Sequence, residues 1–352
     1  MFPKLMSRDR FELLLKFLHF NDNSTLPDDN IDKKKHMIAP VMNTLQRQFE
    51  EMFVPTQHIC LDESLLKWLG NLGFKVFIPA KRSRYGIKIY KLCCDQYTLN
   101  FKIYFGREEI QTNSDYPELG KLEKLVILLV QRHTEKGYIL YTDRLYSSPL
   151  LYNELYKLQI GACGTAMKNK KYFPKHLVNT DLEKSSREVA AYRNGPVLAI
   201  KYSDKKNVYM ITTVHDHSVR NVRARVRGEG LVDVSKPVAI AEYNSQMGGV
   251  DKTDQLINAY KSARKTMKWT KKVVLYMLQH ATLNAHYLFT YDGGDQTYVE
   301  FLLEVINEIL QPVDHDNLQL STSINDNAVR LIERHFIYRI PSTKNKSCPS
   351  KK

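Results

Sequence analysis

The sequence predicts an α/β protein with helical ends, and three observations carry that prediction. The run Gly137-Tyr138-Ile139-Leu140-Tyr141-Thr142 is short, apolar and rich in β-formers; it stops at Asp143 and, after Ser147, Ser148 and Pro149, gives way to the helical spacing of Leu150-Leu151-Tyr152-Asn153-Glu154-Leu155-Tyr156. Two strand-like runs, 85–94 and 97–105, flank Asp95-Gln96 as the arms of a hairpin. Apolar residues recur at spacings of three and four before Pro55 and again after Asp254. Strand–helix units with a hairpin beside them make an α/β sheet with an antiparallel side.

The elements follow in order. Ser7 caps an amphipathic helix reaching about residue 20, with Phe11, Leu14, Leu15 and Leu18 on one stripe. Residues 21–32 read as a polar loop, and a second helix is expected over 35–53, ended by Pro55. A strand over 56–66 holds Asp62 among apolar neighbours; the hairpin follows, then a helix over 122–134 closed by Gly137, then the strand–Asp–helix unit and a further strand near Thr165. From 168 to 237 Tyr, Val, Arg and Gly dominate and alternation is at period two. Strands at 189–192, 197–202, 208–213 and 223–226 predict a small β-rich insertion. Helices are expected over 269–291, 297–310 and 325–336, with a tail from Pro341 disordered by composition.

Composition narrows the function. The chain has 352 residues, 43% of them hydrophobic and 11% aromatic, enough for a sizeable core in two or three domains. No membrane association is expected: the longest purely apolar run, Leu125-Val126-Ile127-Leu128-Leu129-Val130, falls far short of the ~20 residues a span needs. Five cysteines, including the adjacent Cys93 and Cys94, suit free thiols in a reducing compartment rather than a disulfide framework. No Cys-x-x-Cys pair occurs, so no zinc is expected, and His215-Asp216-His217 reads as a solvated loop. No nucleotide cofactor is expected either, because the sequence has no Gly-x-x-x-x-Gly-Lys-Ser/Thr loop.

The candidate chemistry lies in carboxylates. Asp143 ends a strand, where open α/β sheets place their ligands. Asp62 sits in an apolar strand, where an unpaired charge is costly. Gly248-Gly249-Val250-Asp251-Lys252-Thr253-Asp254 opens a helix with Asp251 and Asp254 on one face. If these positions converge, each pair ~4 Å apart repels by roughly 4 kcal/mol at an effective dielectric near 20, so the cluster calls for a cation. Oxygen ligands favour a hard one, Mg²⁺ or Mn²⁺.

Charge points to a polyanionic partner. The net charge is +14, and residues 261–272 hold six basic residues, no acid and an aromatic. Lys261, Arg264, Lys265, Lys268, Lys271 and Lys272 suit phosphate contacts, and Trp269 suits stacking on a base or, equally, the core of the following helix. A second stripe, Arg220, Arg223, Arg225 and Arg227, is expected on one face of a strand. Each cluster alone could be a solvated basic face; two beside a carboxylate site favour nucleic acid.

Five motifs in order carry a resemblance: Cys60-Leu61-Asp62-Glu63, Ile78-Pro79-Ala80-Lys81-Arg82-Ser83-Arg84-Tyr85-Gly86-Ile87-Lys88, Thr142-Asp143-Arg144-Leu145-Tyr146-Ser147-Ser148, the Gly248 to Asp254 motif, and Arg264-Lys265-Thr266-Met267-Lys268-Trp269. Together they resemble the piggyBac family of cut-and-paste transposases and their domesticated derivatives. The resemblance implies an RNase H-like catalytic core (56–165 and 238–256) interrupted by the β-rich insertion (166–237). It also implies a helical dimerisation and DNA-binding domain built from both chain ends (1–55 and 257–340), with 341–352 as a disordered tail. It further implies catalytic Asp62, Asp143 and Asp251 holding two metal ions with Asp254 in support, a structural Glu63, double-stranded DNA (transposon ends and TTAA targets) as partner, a homodimer, and a location in the nucleus. The family's cysteine-rich C-terminal module is not expected here, where Cys348 stands alone near the end. The alternative is a domesticated DNA-binding protein without transposition.

Overall fold

The computed structural model describes residues 6–26, 30–79, 81, 83–106, 116–226, 230–260 and 266–310. Residues 1–305 make one compact unit; 306–352 are a second, of which the description covers 306–310.

One nine-stranded sheet organises the first unit. Its strands are β1 (His58–Lys67), β2 (Val76–Phe77), β3 (Tyr85–Cys94), β4 (Tyr97–Ile103), β5 (Ile139–Thr142), β6 (Gly161–Thr165), β7 (Val189–Asn194), β8 (Val197–Ser203) and β9 (Asn207–Thr212). Along the sheet the order is β2-β3-β1-β5-β6-β9-β8-β7, with β4 sharing the outer edge of β3. β5 and β6 run parallel to β1, whereas β3 and β4 form the antiparallel side. The hairpin turns at Asp95, whose φ of 48° is a left-handed conformation that Asp tolerates better than most residues.

Alternation along the parallel strands divides the core between the two faces of the sheet. Ile59, Leu61, Leu140 and Ala162 face α4 (Lys121–Val130) and α5 (Pro149–Lys157), which bury Leu125, Val126, Leu129, Leu151 and Leu155 there. Each such side chain contributes about 1.5–3 kcal/mol by leaving water. Cys60, Tyr141 and Cys163 face the other way, against Ala239 and Ile240 of α7 (Val238–Gln246) and Val250 of α8 (Gly249–Ala259). The end of β1 and strands β3 and β4 complete that second face. They carry Leu66, Ile87, Ile89, Phe101 and Ile103, and meet Met42 and Phe49 of α3 (Ala39–Glu51) and Val273, Val274 and Met277 of α9 (Trp269–Tyr291). Helices from both ends of the sequence therefore share one apolar cluster with the sheet.

Several expectations meet a different arrangement. The helix expected over 35–53 is two, α2 (Asn30–His36) and α3, because Pro40 lacks an amide hydrogen and takes the first turn of a new helix. The β-rich stretch is not set apart: β9 pairs with β6, so β7, β8 and β9 lengthen the central sheet. Only β10 (Val219–Val226) stands off it, in a two-stranded ribbon with β11 (Gly230–Pro237), a strand the sequence pattern did not announce. The first helix, α1 (Arg8–Phe17), is capped by Ser7 as expected yet buries none of its residues; Phe11 and Leu14 remain 45% and 46% exposed. Residues 325–336 and the tail from 341 lie outside the described residues. A short helix α6 (Lys175–Asn179) and α10 (Tyr298–Leu310) complete the elements, and no described helix is long and apolar enough to cross a membrane.

Candidate active site

The parallel register sets the first two carboxylates side by side. Cys60 pairs with Tyr141 and Leu61 with Thr142, so the next position of each strand is Asp62 and Asp143. Alternation puts both on the face of Cys60 and Tyr141, the face that α7 and α8 cover. β5 ends there because the chain turns: the amides of Tyr146 and Ser147 both donate to Asp143 O, at 2.9 and 3.1 Å. Ser148 then caps α5, accepting from Leu151 N at 3.1 Å. The Asp143 carboxylate is fixed from two sides. Its Oδ1 accepts from Arg144 N at 2.6 Å and from Thr165 Oγ1, at the end of β6, at 3.2 Å.

The third carboxylate arrives on α8. This helix approaches β1 and the hairpin turn so closely that a Cβ on Gly249 would lie 2.3 Å from Asp95 O and 2.7 Å from Cys60 Sγ. Only glycine fits there, and the ion pair from Lys252 Nζ to Asp95 Oδ1, 2.7 Å, holds the same contact. Asp251 consequently sits in the first turn of α8, where the helix dipole favours a negative charge, within electrostatic reach of Asp62. It is exposed, while Asp62 and Asp143 are half-buried.

Asp254 faces a different set of partners. Its Oδ1 accepts from Lys91 Nζ at 2.8 Å, Ser64 Oγ at 2.7 Å and Tyr276 Oη at 3.1 Å. Lys91 is fully buried; burial works against its ammonium, but the Tyr276 oxygen and the Asp254 carboxylate outweigh it and hold its proton more tightly than usual. Asp254 thus ties α8 to β1, β3 and α9. Glu63 is also engaged: its Oε2 accepts the Tyr146 hydroxyl and lies 3.7 Å from Lys88 Nζ, linking the strand of Asp62 to the turn after Asp143.

The electrostatics show crowded acids. Asp62 is pushed up to about 7, first by burial and then by the adjacent Glu63; the Glu63 amide and Lys81 oppose the rise, and Asp251 adds to it. The Tyr243 hydroxyl, on α7, goes up to about 12 through burial and, after an opposing hydrogen bond with Thr165, the charges of Asp143 and Asp62. Among the described residues no three His, Cys, Asp or Glu side chains close on one point as a metal-holding group. The donor set still suits a hard cation, since it is all carboxylate oxygen and the charge of Lys81 offsets only part of the burial and acid crowding at Asp62.

The basic residues divide. Lys268 is exposed, and Lys272 is half-buried. Lys271 is not available to a ligand: it is 7% exposed, and its ammonium donates to Leu15 O and Lys16 O, closing the end of α1. Trp269 belongs to the core, edge-on to Phe74 at 5.1 Å and Phe105 at 6.0 Å, which decides between its two readings. Arg220, Arg223 and Arg225 are exposed on β10, but the unbroken register places Arg220 on the opposite face of the ribbon, where its charge reaches Glu242. Lys261, Arg264, Lys265 and Arg227 lie outside the described residues. His215 is not solvated: its Nε2 meets Glu242 Oε2 and its Nδ1 meets Thr212 Oγ1, both at 2.8 Å.

Sequence reasoning missed Thr165, Tyr243 and Lys91. A signal existed for Lys91, a lysine inside the apolar run Ile89-Tyr90-Lys91-Leu92-Cys93, where burial demands a partner. Thr165 and Tyr243 become visible only once the sheet order is known.

Comparison with known proteins now decides the family. The family described as Transposase IS4 matches residues 1–286, most of the chain. The chain belongs to it, in the piggyBac-type branch. This piggyBac-type chain is 27% identical over 325 residues to the human PiggyBac transposable element-derived protein 3, covering 88% of the chain and 53% of that protein. The human PiggyBac transposable element-derived protein 2 is 26% identical over 298 residues, covering 79% and 48%. The chain therefore spans about half the length of the curated relatives it matches. In three dimensions it resembles a piggyBac transposase solved by cryo-EM as a synaptic complex with hairpin DNA, with a TM-score of 0.73 and 24% identity over 88% of this chain and 66% of that one.

Proposed function

We propose that this chain forms the catalytic part of a piggyBac-type DNA transposase, in which Asp62, Asp143 and Asp251 direct metal-dependent cleavage and transfer of DNA strands at TTAA sites. What supports the reading is the placement of three carboxylates on separate elements: Asp62 and Asp143 on neighbouring strands by the β1–β5 register, and Asp251 on α8, which docks closely at Gly249 and brings its charge within electrostatic reach of Asp62. An α/β sheet with an antiparallel side supports an RNase H-like core. Asp62, Asp143 and Asp251 would hold two divalent ions, Mg²⁺ or Mn²⁺, which when bound activate an attacking hydroxyl and stabilise the leaving oxygen.

The chain's own residues do the rest. Thr165 and the Arg144 amide orient the Asp143 carboxylate, and Glu63 with Tyr146 holds the Asp62 strand against the Asp143 turn. Asp254 supports the site by anchoring α8 through Lys91. Lys268, Lys272, Arg223 and Arg225 are the described side chains we assign to DNA phosphates. A homodimer acting in the nucleus completes the proposal.

The test is nicking of supercoiled DNA with Mn²⁺ by the wild type and by Asp62→Asn, Asp143→Asn and Asp251→Asn, each checked for a native circular dichroism spectrum. Each variant is expected to lose activity by at least 10²-fold; full nicking by a folded Asp143→Asn protein removes that residue from the site. A second reading, DNA binding without transposition, is favoured by the match to transposable element-derived proteins. It predicts duplex binding by a wild type that does not nick.

A further inference from the structure

The outer edge of the sheet lies away from the carboxylates, since β4 pairs with β3 and β3 separates it from β1 and Asp62. The Tyr104 amide donates to Lys88 O, on β3, at 2.9 Å. Backbone groups alternate in direction along an antiparallel strand, so those of Ile103 and Phe101 point outward, away from β3. Side-chain amides fill most of these outward positions. Gln46 Nε2 of α3 donates to Phe101 O at 2.7 Å, and Phe101 N donates to Asn100 Oδ1 at 2.7 Å. Beyond the bulge in this pairing, Asn284 of α9 accepts from Thr98 N and donates to Thr98 O, both at 2.9 Å. At Ile103 no such substitute is present: among the described residues none bonds to its outward N–H or C=O, although the residue is only 5% exposed. A recessed backbone pair of this kind calls for a partner.

That edge is the floor of a slot of about 400 Å³ between two helices. α3 lends Met42 and Asn43 to one wall, and the end of α4 lends Leu128 and Leu129 to the other. Met42 packs with Phe101 and Ile103 on one face of the sheet, and Leu129 with Leu99 on the opposite face. A strand laid beside β4 would therefore enter between the two layers that already enclose the sheet. Leu128 is 47% exposed in this slot, an apolar side chain that the fold leaves uncovered. The lining holds three basic residues, Lys35, Lys102 and Arg132, against one acid, Glu50, a net formal charge of +2.

We propose that this slot binds an extended peptide of another protein, which adds as a strand to β4 at Ile103 and carries adjacent apolar residues flanked by acids. Outward N–H and C=O groups select an extended backbone, because a helix satisfies its own and has none to exchange. Apolar walls on both sides select consecutive apolar residues, as in a strand covered on both faces. The positive lining selects acidic flanks. A second copy's β4 does not fit: its edge is equally recessed between its own α3 and α4, and the helices of the two copies would meet before the strands. From Phe101 to Phe105 the edge runs ~14 Å at ~3.4 Å per residue, room for about five residues of peptide. The proposal is independent of the catalytic reading.

The test begins with selection of phage-displayed random 12-residue peptides on the wild-type chain, with peptides that also bind Leu128→Glu or Asn43→Glu removed. These substitutions place an acid at one exposed position on each wall. Enriched peptides are expected to share an apolar run beside Asp or Glu. Made with a fluorescein label and read by anisotropy, they should bind each variant at least 10-fold more weakly than the wild type. Leu231→Glu, at a 72% exposed position on β11, should bind them normally. Two further versions of the best peptide carry N-methyl groups on alternate amides of the apolar run, in complementary sets. One set alone should lose at least 10-fold, because an added strand turns only every second amide toward β4. The proposal is overturned if no peptide family separates the wild type from the folded variants, if the two N-methylated sets bind alike, or if the enriched peptides are basic or show helical spacing. A wild-type dimer in light scattering that Leu128→Glu dissociates would assign the slot to a second copy and overturn it as well.

Discussion

Replacing Asp254 by asparagine asks whether that residue belongs to the scaffold or to the metal. Lys91 has a fully buried side chain, and its ammonium lies 2.8 Å from Asp254 Oδ1, on a side chain 22% exposed. At an effective dielectric near 20 the gross attraction at that separation is about 6 kcal/mol, of which desolvation cancels a large part. Removing one member of such a pair strands the other charge in the interior and costs about 3–5 kcal/mol. Because Asp254 keeps some contact with water, the lower end applies, about 3 kcal/mol. The asparagine retains an oxygen for Ser64 and Tyr276, so nearly all of that loss is electrostatic. The assay is urea unfolding in EDTA, followed by the fluorescence of Trp68 and Trp269. Asp254→Asn should unfold at clearly lower urea, whereas Asp251→Asn, at an exposed position, should stay within about 0.5 kcal/mol of the wild type. A Lys91→Met/Asp254→Leu double variant should recover much of the loss, since replacing both charges removes the stranded ion. Identical unfolding of Asp254→Asn and wild type in EDTA would refute the reasoning, and a difference that emerges only on adding Mn²⁺ would make Asp254 a ligand instead.

Acid should weaken the fold through His133, whose buried Nε2 has no hydrogen-bond partner among the described residues and whose proton affinity is lowered to about 4 by burial and then by Lys136 and Arg132. Between pH ~6.5 and ~4 the unfolded chain takes a proton that the folded one refuses, so stability falls as pH falls, by up to ~3 kcal/mol; His133→Phe should flatten that limb in urea titrations, and an unchanged pH profile would contradict it. Gly249→Ala should cost about 1–3 kcal/mol by driving its Cβ into Asp95 O and Cys60 Sγ. It should also weaken Mn²⁺ binding in calorimetry, and normal stability with normal binding would show that α8 can dock without the close approach. Trp269→Ala should lose about 2–4 kcal/mol by emptying the space between Phe74 and Phe105. The salt dependence of its duplex binding should match the wild type, and a flattened slope would return Trp269 to the DNA interface.

Elements with strong local signals were legible in the sequence. The helix at 269–291 was read at the bounds the fold gives it, and the hairpin around Asp95 within two residues, because periodicity and turn chemistry are local. What the sequence left open depends on pairing across the sheet. Strands 189–194, 197–203 and 207–212 were visible as strands, but whether they form a body of their own or lengthen the sheet turns on the contact of Cys163, Gly164 and Thr165 with Thr212, Ile211 and Met210. No local pattern encodes that partner. For α1 the opposite failure occurred: its apolar stripe predicted burial, yet Phe11, Leu14 and Leu18 are exposed and Leu15 is only half-buried.

The candidate site divides along the same physical line. Asp62 and Asp143 were legible because a carboxylate in or at the end of an apolar strand is costly and therefore informative. By pattern alone Asp251 and Asp254 looked equivalent, three residues apart on one helix, and only the family resemblance put Asp251 first with Asp254 in support. Their environments separate them: a 3-residue step carries Asp254 ~4.5 Å further along the helix and round by a net ~60°, against the buried Lys91, while Asp251 stays exposed at the dipole end. The basic cluster shows the same lesson for charge. Lys271 and Lys272 are adjacent in sequence, yet one ammonium closes a helix end and the other lines a cleft leading to Asp251. A run of lysines fixes how much positive charge is present, and the helix it lies on decides which of those charges a phosphate can reach.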